Sequence, residues 1–249
     1  MDLERVDVVL VRPARAANVA AACRALKNMG LRSLALVGPP DGLDQPEARA
    51  LAYGAWDVLD AVVPRASLRE AVAACTVVAG TSGRAHPEAW TPRRLAGVAA
   101  DLAGPGRLAL VFGPEASGLT DEELALCHIR VRIPSDPAHP SLNLAQAVLV
   151  VAYELRLAAV GAEPASAGPE SRARRATAGD VEAALDDLRR ALVGIGYLSR
   201  DHPEPILSEW RALIARAGPT PREVSLLRGL ARQVLWAAGR IAPTSGGEP

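Results

Sequence analysis

Three short stretches of the chain concentrate side chains able to do chemistry. In the first, Asn18 to Gly30, an amide (Asn18) and a guanidinium (Arg24) stand on a segment otherwise built of small and apolar residues. The second runs Phe112-Gly113-Pro114-Glu115-Ala116-Ser117-Gly118-Leu119-Thr120, placing two glycines and one carboxylate directly after an apolar run. The third, Ile133-Pro134 through Pro140-Ser141-Leu142-Asn143-Leu144, gathers polar side chains at the entry to an apolar helix. Amide, guanidinium, carboxylate and hydroxyl groups suit binding, orientation and proton handling. They do not suggest nucleophilic catalysis: His86, His128, His139 and His202 fall in no triad pattern. No cluster at metal-ligand spacing is visible, so no metal is expected.

Each residue has a plainer reading when taken alone. Asn18, Ser141 and Asn143 are all good helix N-caps, and Arg24 lies off the apolar face of its helix, where a solvated charge belongs. Thr120 with Glu123 makes a capping box, which accounts for those two positions but not for Glu115. The conjunction of the three stretches, not any one residue, points to a site.

The elements that would position these groups follow from periodicity. Val6–Val11 reads as a buried first strand, and Asn18–Met29 as a helix whose apolar face is Val19, Ala22, Cys23, Leu26 and Met29, stopped by Gly30. Further strands are expected over 34–37, 75–79, 108–112 and 129–133, with helices between them. The strand over 75–79 opens into Gly80-Thr81-Ser82-Gly83-Arg84, a loop small enough for a ligand to approach its backbone. Strands alternating with helices predict an α/β fold with a mostly parallel sheet, and open α/β sheets place ligands at the carboxyl ends of their strands. A helix from Asn143 to about Ala159 closes this unit, expected to span 1–160. A linker at 161–179, rich in Ala, Gly, Pro, Ser and Arg, leads to a small all-helical unit over 180–240 with helices at 180–192, 204–217 and 221–240. A disordered tail is expected at 241–249.

Composition sets the outer limits. The 249 residues are 49% hydrophobic and 3% aromatic, which predicts an aliphatic core. Formal net charge is +0, so any nucleic-acid contact must rest on local patches. Cys23, Cys75 and Cys127 form no CxxC pair and read as reduced, buried thiols; with no apolar leader after Met1, a soluble cytoplasmic protein outside the membrane is expected. A dinucleotide-dependent oxidoreductase is disfavoured, because the turn after the first strand, Arg12-Pro13-Ala14-Arg15-Ala16-Ala17, carries no glycine.

In sequence order, NVAAACRALKNMG from Asn18, FGPEASGLT from Phe112 and IPSDPAHPSLNLAQAV from Ile133 resemble the three motifs of SpoU-type RNA 2′-O-ribose methyltransferases. The resemblance runs from about Val8 to Leu157. The blocks Gly194-Ile195-Gly196-Tyr197 and Arg222 to Gln233 are similar to the helical extension of the TrmJ subgroup, whose members methylate the ribose of the first nucleotide of the anticodon loop in tRNA. The resemblance implies a SPOUT fold with a C-terminal trefoil knot, S-adenosylmethionine as methyl donor, and a homodimer that completes the active site. It implies a donor pocket lined by Thr81, Ser82, Gly83, Gly113, Ile133, Ser141, Leu142 and Asn143, and an active-site set of Asn18, Arg24, Glu115, Ser141 and Asn143. Pro114 and Ala116, where charged residues are usual, and the glycine-free run Ala14 to Ala17 depart from the pattern.

Arg24 is a poor general base, since a guanidinium with a pKa above about 12 stays protonated. It is expected to grip the phosphate beside the target ribose, its plane fixed by Glu115 and Asn18. Arg172, Arg174, Arg175, Arg228 and Arg232 are further candidates for RNA phosphates. The rival readings are the same chemistry on ribosomal RNA, and a knotted RNA-binding protein without catalysis.

Overall fold

A computed structural model of the chain describes residues 2–161 and 175–241. The chain divides into two compact units, Met1–Arg172 and Ala173–Pro249.

After a short 3-10 turn, the first unit runs β1 (Val6–Val11), α1 (Ala16–Met29), β2 (Ser33–Val37), α2 (Pro46–Leu51), α3 (Trp56–Asp60) and β3 (Val63–Arg65). It continues through α4 (Leu68–Val72), β4 (Val77–Thr81), α5 (Pro92–Ala103), β5 (Leu108–Phe112), α6 (Asp121–Ala125), β6 (Ile129–Val131) and α7 (Leu144–Gly161). The six strands form one sheet in the order β3-β2-β1-β5-β4-β6. Every pairing is parallel. The central strands β1 and β5 are near-continuous Val, Leu and Ala runs because helices cover both faces of a parallel sheet. Val8 to Val11 are wholly buried.

Strand order places β1 between β2 and β5, so the chain reverses its direction of growth there. The carboxyl ends of β1, β4, β5 and β6 therefore face a common edge, which is where this topology leaves a crevice. Helices α1 and α7 pack against each other, Val19, Cys23 and Leu26 against Val148, Val151, Ala152 and Leu155 in a single apolar core. By length and composition α7 could cross a membrane, yet its buried stripe is spent on α1 and α5.

Several expected boundaries move. Helix α1 begins at Ala16, with Arg15 as N-cap and no side-chain cap, so Asn18 is a helical residue and not the cap. Its main-chain N–H bonds to Arg15 O, which leaves the side-chain amide available. The fourth strand covers Val77–Thr81 instead of 75–79, because pairing with β6 (Ala79 with Ile129, Thr81 with Val131) carries it past Gly80. A glycine is required there: a Cβ on Gly80 would lie 2.5 Å from Cys127 Sγ. The last strand ends at Val131, two residues short of the expected end. The edge strand β3 was not foreseen; its exposed Val63-Pro64-Arg65 carries neither alternation nor an apolar run, and proline is tolerated only at such an edge.

Burial pushes each of the three thiols, Cys23, Cys75 and Cys127, up to about 12, so none supplies a thiolate at neutral pH.

The second unit contains α8 (Ala178–Gly194), α9 (Glu204–Ala217) and α10 (Pro221–Ile241). Their core joins Val181, Leu185 and Leu188 to Leu207, Ile214, Val224 and Ala231. A bidentate pair from Arg211 to Glu182, at 3.0 and 3.2 Å, fastens α9 to α8. Gly161 belongs to α7 and Ala178 to α8, so both ends of the expected linker are helical, while 162–174 lie outside the described residues. The same is true of the expected tail beyond Ile241.

Candidate active site

The site grows from the carboxyl end of β5. Gly113 follows Phe112 and permits the loop after it to fold back on itself: a Cβ at Gly113 would lie 2.3 Å from the backbone of Gly118 and Leu119. The loop is closed by the Gly118 N–H bonding to Pro114 O at 2.8 Å, with Gly118 at φ +68°. It then enters α6 through the capping box of Thr120 and Glu123. Glu115 sits in this fold-back, held by backbone constraints on both sides.

Two segments converge on that carboxylate. The Ala14 N–H donates to Glu115 Oε2 at 2.9 Å, and the Asn18 side-chain N–H donates to Glu115 Oε1. Asn143 Nδ2 in turn donates to Asn18 Oδ1 at 3.0 Å. Meanwhile Asn143 Oδ1 accepts from the backbone of Ala145 at 2.9 Å and Gln146 at 3.4 Å. The cap and the site are thus one residue: the oxygen of Asn143 starts α7 and its nitrogen enters the polar chain. Amide dipoles aligned from Asn143 through Asn18 end on an anion, the arrangement in which each bond strengthens the next.

Burial pushes the Glu115 carboxyl up, but the bonds from the Ala14 amide and from Asn18 outweigh it and hold it below the ordinary carboxylate value. Glu115 is therefore an anionic acceptor at neutral pH, not a general acid.

Arg24 is not part of this cluster. Six residues beyond Asn18 on α1, it lies about 9 Å further along the helix axis. It is exposed, and among the described residues it makes no hydrogen bond or ion pair. The expectation that Glu115 and Asn18 clamp its guanidinium within one chain is therefore corrected. The core-facing side of α1 is taken by Val19, Ala20, Ala22, Cys23, Ala25 and Leu26, which leaves Arg24 on the outer side.

Beside the cluster opens a cleft of 480 Å³, within the range of small-molecule sites. Thr81, Ser82, Gly83, Gly113, Ile133, Ser141 and Leu142 all line it, together with Glu115. Asn143 does not line the cleft; its amide is committed to Asn18 and to the start of α7. Thr81 is fixed by its hydroxyl donating to Val111 O at 3.1 Å. Leu142, Leu144, Ala147 and Ile133 give one apolar wall, and glycine-rich backbone gives the other. Among the described residues no group of three or more His, Cys, Asp or Glu side chains could hold a metal.

Among the contributors that sequence reasoning missed are Arg84 and the Ala14 amide. Arg84 lines the cleft, within 3.5 Å of Asp121; it stood in the Gly80–Arg84 loop and was legible there. The Ala14 amide was not, because any residue supplies a backbone N–H.

Of the candidate RNA contacts, Arg172 and Arg174 lie outside the described residues. Arg175 is half-buried and Arg232 exposed, whereas Arg228 donates to Asp187 at 2.8 Å, a bond that a phosphate would have to displace.

The model of the SpoU rRNA Methylase family matches residues 5–153, and that of the tRNA methyltransferase TrmJ C-terminal domain matches residues 179–243. The chain is 40% identical over 239 residues to the tRNA (cytidine/uridine/adenosine-2′-O-)-methyltransferase TrmJ of Pseudomonas aeruginosa, covering 92% of this chain and 93% of that one. It is 36% identical to the tRNA (cytidine/uridine-2′-O-)-methyltransferase TrmJ of Sodalis glossinidius, over 92% and 90% of the two chains. The crystal structure of TrmJ from Z. mobilis superposes with a TM-score of 0.79 at 31% identity, covering 92% of this chain and 98% of that one. Family model, whole-length relatives and superposed fold place the chain in the SpoU methylase family, in its TrmJ branch.

Proposed function

We propose that the chain transfers the methyl group of S-adenosylmethionine to a ribose 2′-hydroxyl of tRNA, at the first nucleotide of the anticodon loop. One observation carries the chemistry: an ionised carboxylate, Glu115, ordered by two amides, opens onto a cleft with one apolar and one glycine-rich wall. The substrate class rests on the whole-length relatives, which are named as tRNA 2′-O-methyltransferases.

The cleft suits the donor. Its apolar residues Ile133, Leu142 and Leu144 fit an adenine ring, and Glu115 supplies a negative charge near a sulfonium. When bound, the donor would supply an electrophilic methyl carbon for the ribose oxygen, its carbon–sulfur bond breaking as the carbon–oxygen bond forms and the hydroxyl proton leaving to solvent. The chain's own contribution is placement: Asn18 and Asn143 fix the carboxylate, Ser141 and Leu142 line the cleft, and the closed loop at 113–118 carries Glu115.

Arg24 grips the RNA phosphate from a second copy of the chain. The outer stripe of α1 carries Ala17, Ala21, Arg24 and Asn28, and its packing partner α7 carries an exposed apolar stripe of Leu149, Tyr153, Leu157 and Val160. A stripe of that kind suits a homodimer in which each chain lends its arginine to the other's cleft. The reading includes a trefoil knot in the first unit, supported by Leu142 and Leu144 lining the same cleft as Gly113 and Gly118. It also includes tRNA contact by Arg172, Arg174, Arg175, Arg228 and Arg232, and a cytoplasmic setting, where tRNA is processed.

The family model's name favours a second reading, the same transfer onto ribosomal RNA. Labelled S-adenosylmethionine offered with unmodified tRNA or ribosomal RNA transcripts, followed by nuclease digestion, tests both. Label on a 2′-oxygen in the anticodon loop is the expected result; label only on ribosomal RNA keeps the chemistry and overturns the substrate.

A further inference from the structure

Arg12, directly after β1, is the only non-glycine residue with positive φ among those described, at φ +45°. An L side chain rarely adopts that conformation, and such residues persist only where their surroundings hold them. Arg12 is held from two sides. Its backbone N–H donates to Val37 O at 2.6 Å, continuing the pairing of β1 with β2. Its side chain passes over Gly38, where an added Cβ would lie 3.2 Å from Arg12 Cγ. The guanidinium then grips Glu123 with both nitrogens, Nη1 to Oε1 and Nη2 to Oε2 at 3.0 Å.

Glu123 is already the residue that locks the loop carrying Glu115. Its Oε2 accepts from the Thr120 N–H at 2.8 Å, and the Thr120 hydroxyl accepts from the Glu123 N–H at 3.2 Å. Its side chain is only 13% exposed. Two ties therefore join the same pair of segments: Arg12 to Glu123, and Ala14 N–H to Glu115. Only Pro13 separates Arg12 from Ala14. The left-handed turn at Arg12 sets the direction in which the Ala14 N–H points, and the ion pair sets the distance between turn and loop.

We propose that Arg12 is a positioning residue for methyl transfer, acting through Glu123 to hold the 12–15 turn against the 113–120 loop so that Glu115 is aimed and ordered. The proposal rests on the methyltransferase reading above. It assigns work to a residue that neither lines the cleft nor belongs to the motif-derived site, and whose plain reading is an exposed arginine.

The test is steady-state methyl transfer to tRNA by Arg12→Met, Glu123→Gln and the double variant, with donor affinity measured separately by calorimetry. Gln preserves the reciprocal cap at α6 while removing the charge. Each single variant is expected to lose about ten- to a hundredfold in kcat while donor affinity stays within about twofold, since slight misplacement penalises the reacting geometry far more than binding. The double variant is expected to fall no further than either single, because both remove one interaction. Arg12→Gly serves as a second probe: glycine takes the positive φ without strain, so the turn survives without its arm, and the same loss of kcat is expected. Wild-type kcat in Arg12→Met or Arg12→Gly, or strictly additive losses in the double variant, would overturn the proposal. A wild-type chain that binds the donor but methylates no RNA would instead sink the methyltransferase reading.

Discussion

Asn143 gives its side-chain amide to Asn18 across 125 residues of sequence, 3.0 Å from nitrogen to oxygen, and Asn18 passes its own amide to Glu115. That relay orients all three groups at once, since each amide has its oxygen committed on one side and its nitrogen on the other.

Replacing Asn18 by Asp reverses the relay at its midpoint. Two carboxylates then face each other, and one of them takes a proton more readily than an isolated acid. Methyl transfer by Asn18→Asp is expected to fall at least about tenfold at pH 8, with the gap to wild type narrowing toward about pH 6 as a shared proton restores a donor. Rate measured against pH for both proteins checks this; parallel profiles would mean that Asn18 does not order Glu115.

Gly113→Ala isolates the cleft. The new Cβ would meet backbone atoms of Gly118 and Leu119 at 2.3 Å, and backbone cannot step aside as a flexible side chain can. The fold-back should open and donor affinity should weaken by more than about tenfold, a cost of at least about 1.4 kcal/mol. Calorimetric titration with S-adenosylmethionine reads it directly, and unchanged affinity would place the donor elsewhere.

Arg24→Ala and Asn18→Ala should each abolish turnover on their own. If Arg24 works in the partner's cleft, mixing the two inactive variants under subunit exchange yields dimers with one intact site, and activity returns. No recovery in a mixture that mass spectrometry shows to have exchanged would put Arg24 back in its own chain's site.

Asp7 offers a stability test remote from the chemistry. On β1 it receives two 2.6 Å bonds from Arg107 and one from Ser33. Burial pushes its carboxyl up, and these bonds more than offset that, holding it below the ordinary value of 3.8. A depressed folded-state pKa contributes stability above the unfolded value and loses it as pH falls through the folded one. Asp7→Asn should therefore cost about 2 kcal/mol at pH 7, a figure kept modest by the partial exposure of Arg107, and less at about pH 3, below the ordinary carboxylate value, where the contribution has begun to fall. Denaturant unfolding at the two pH values settles it; an equal penalty at both would mean that the asparagine disturbs packing instead of charge.

Much of this architecture was legible in local pattern. The apolar run Val6–Val11, the Leu108–Phe112 strand and the helix Glu204–Ala217 appear where hydrophobic periodicity put them, because burial on a sheet or a helix face repeats along the chain. Seven of the eight residues that the family resemblance assigned to the donor pocket line the cleft. Edge strand β3, with its proline and exposed side chains, had no such pattern to read.

What the sequence by itself determined was most of the elements and the identity of the polar groups at their ends, because periodicity, caps and glycines act over a few residues. Only the tertiary structure decided which of those groups meet. Parallel pairing brought the ends of β1 and β5 together, so Ala14, Asn18 and Glu115 became partners, while Arg24, already off the apolar face of its helix in the sequence, stayed outside that cluster. Those partnerships depend on strand order, which is not encoded within any one segment of the chain.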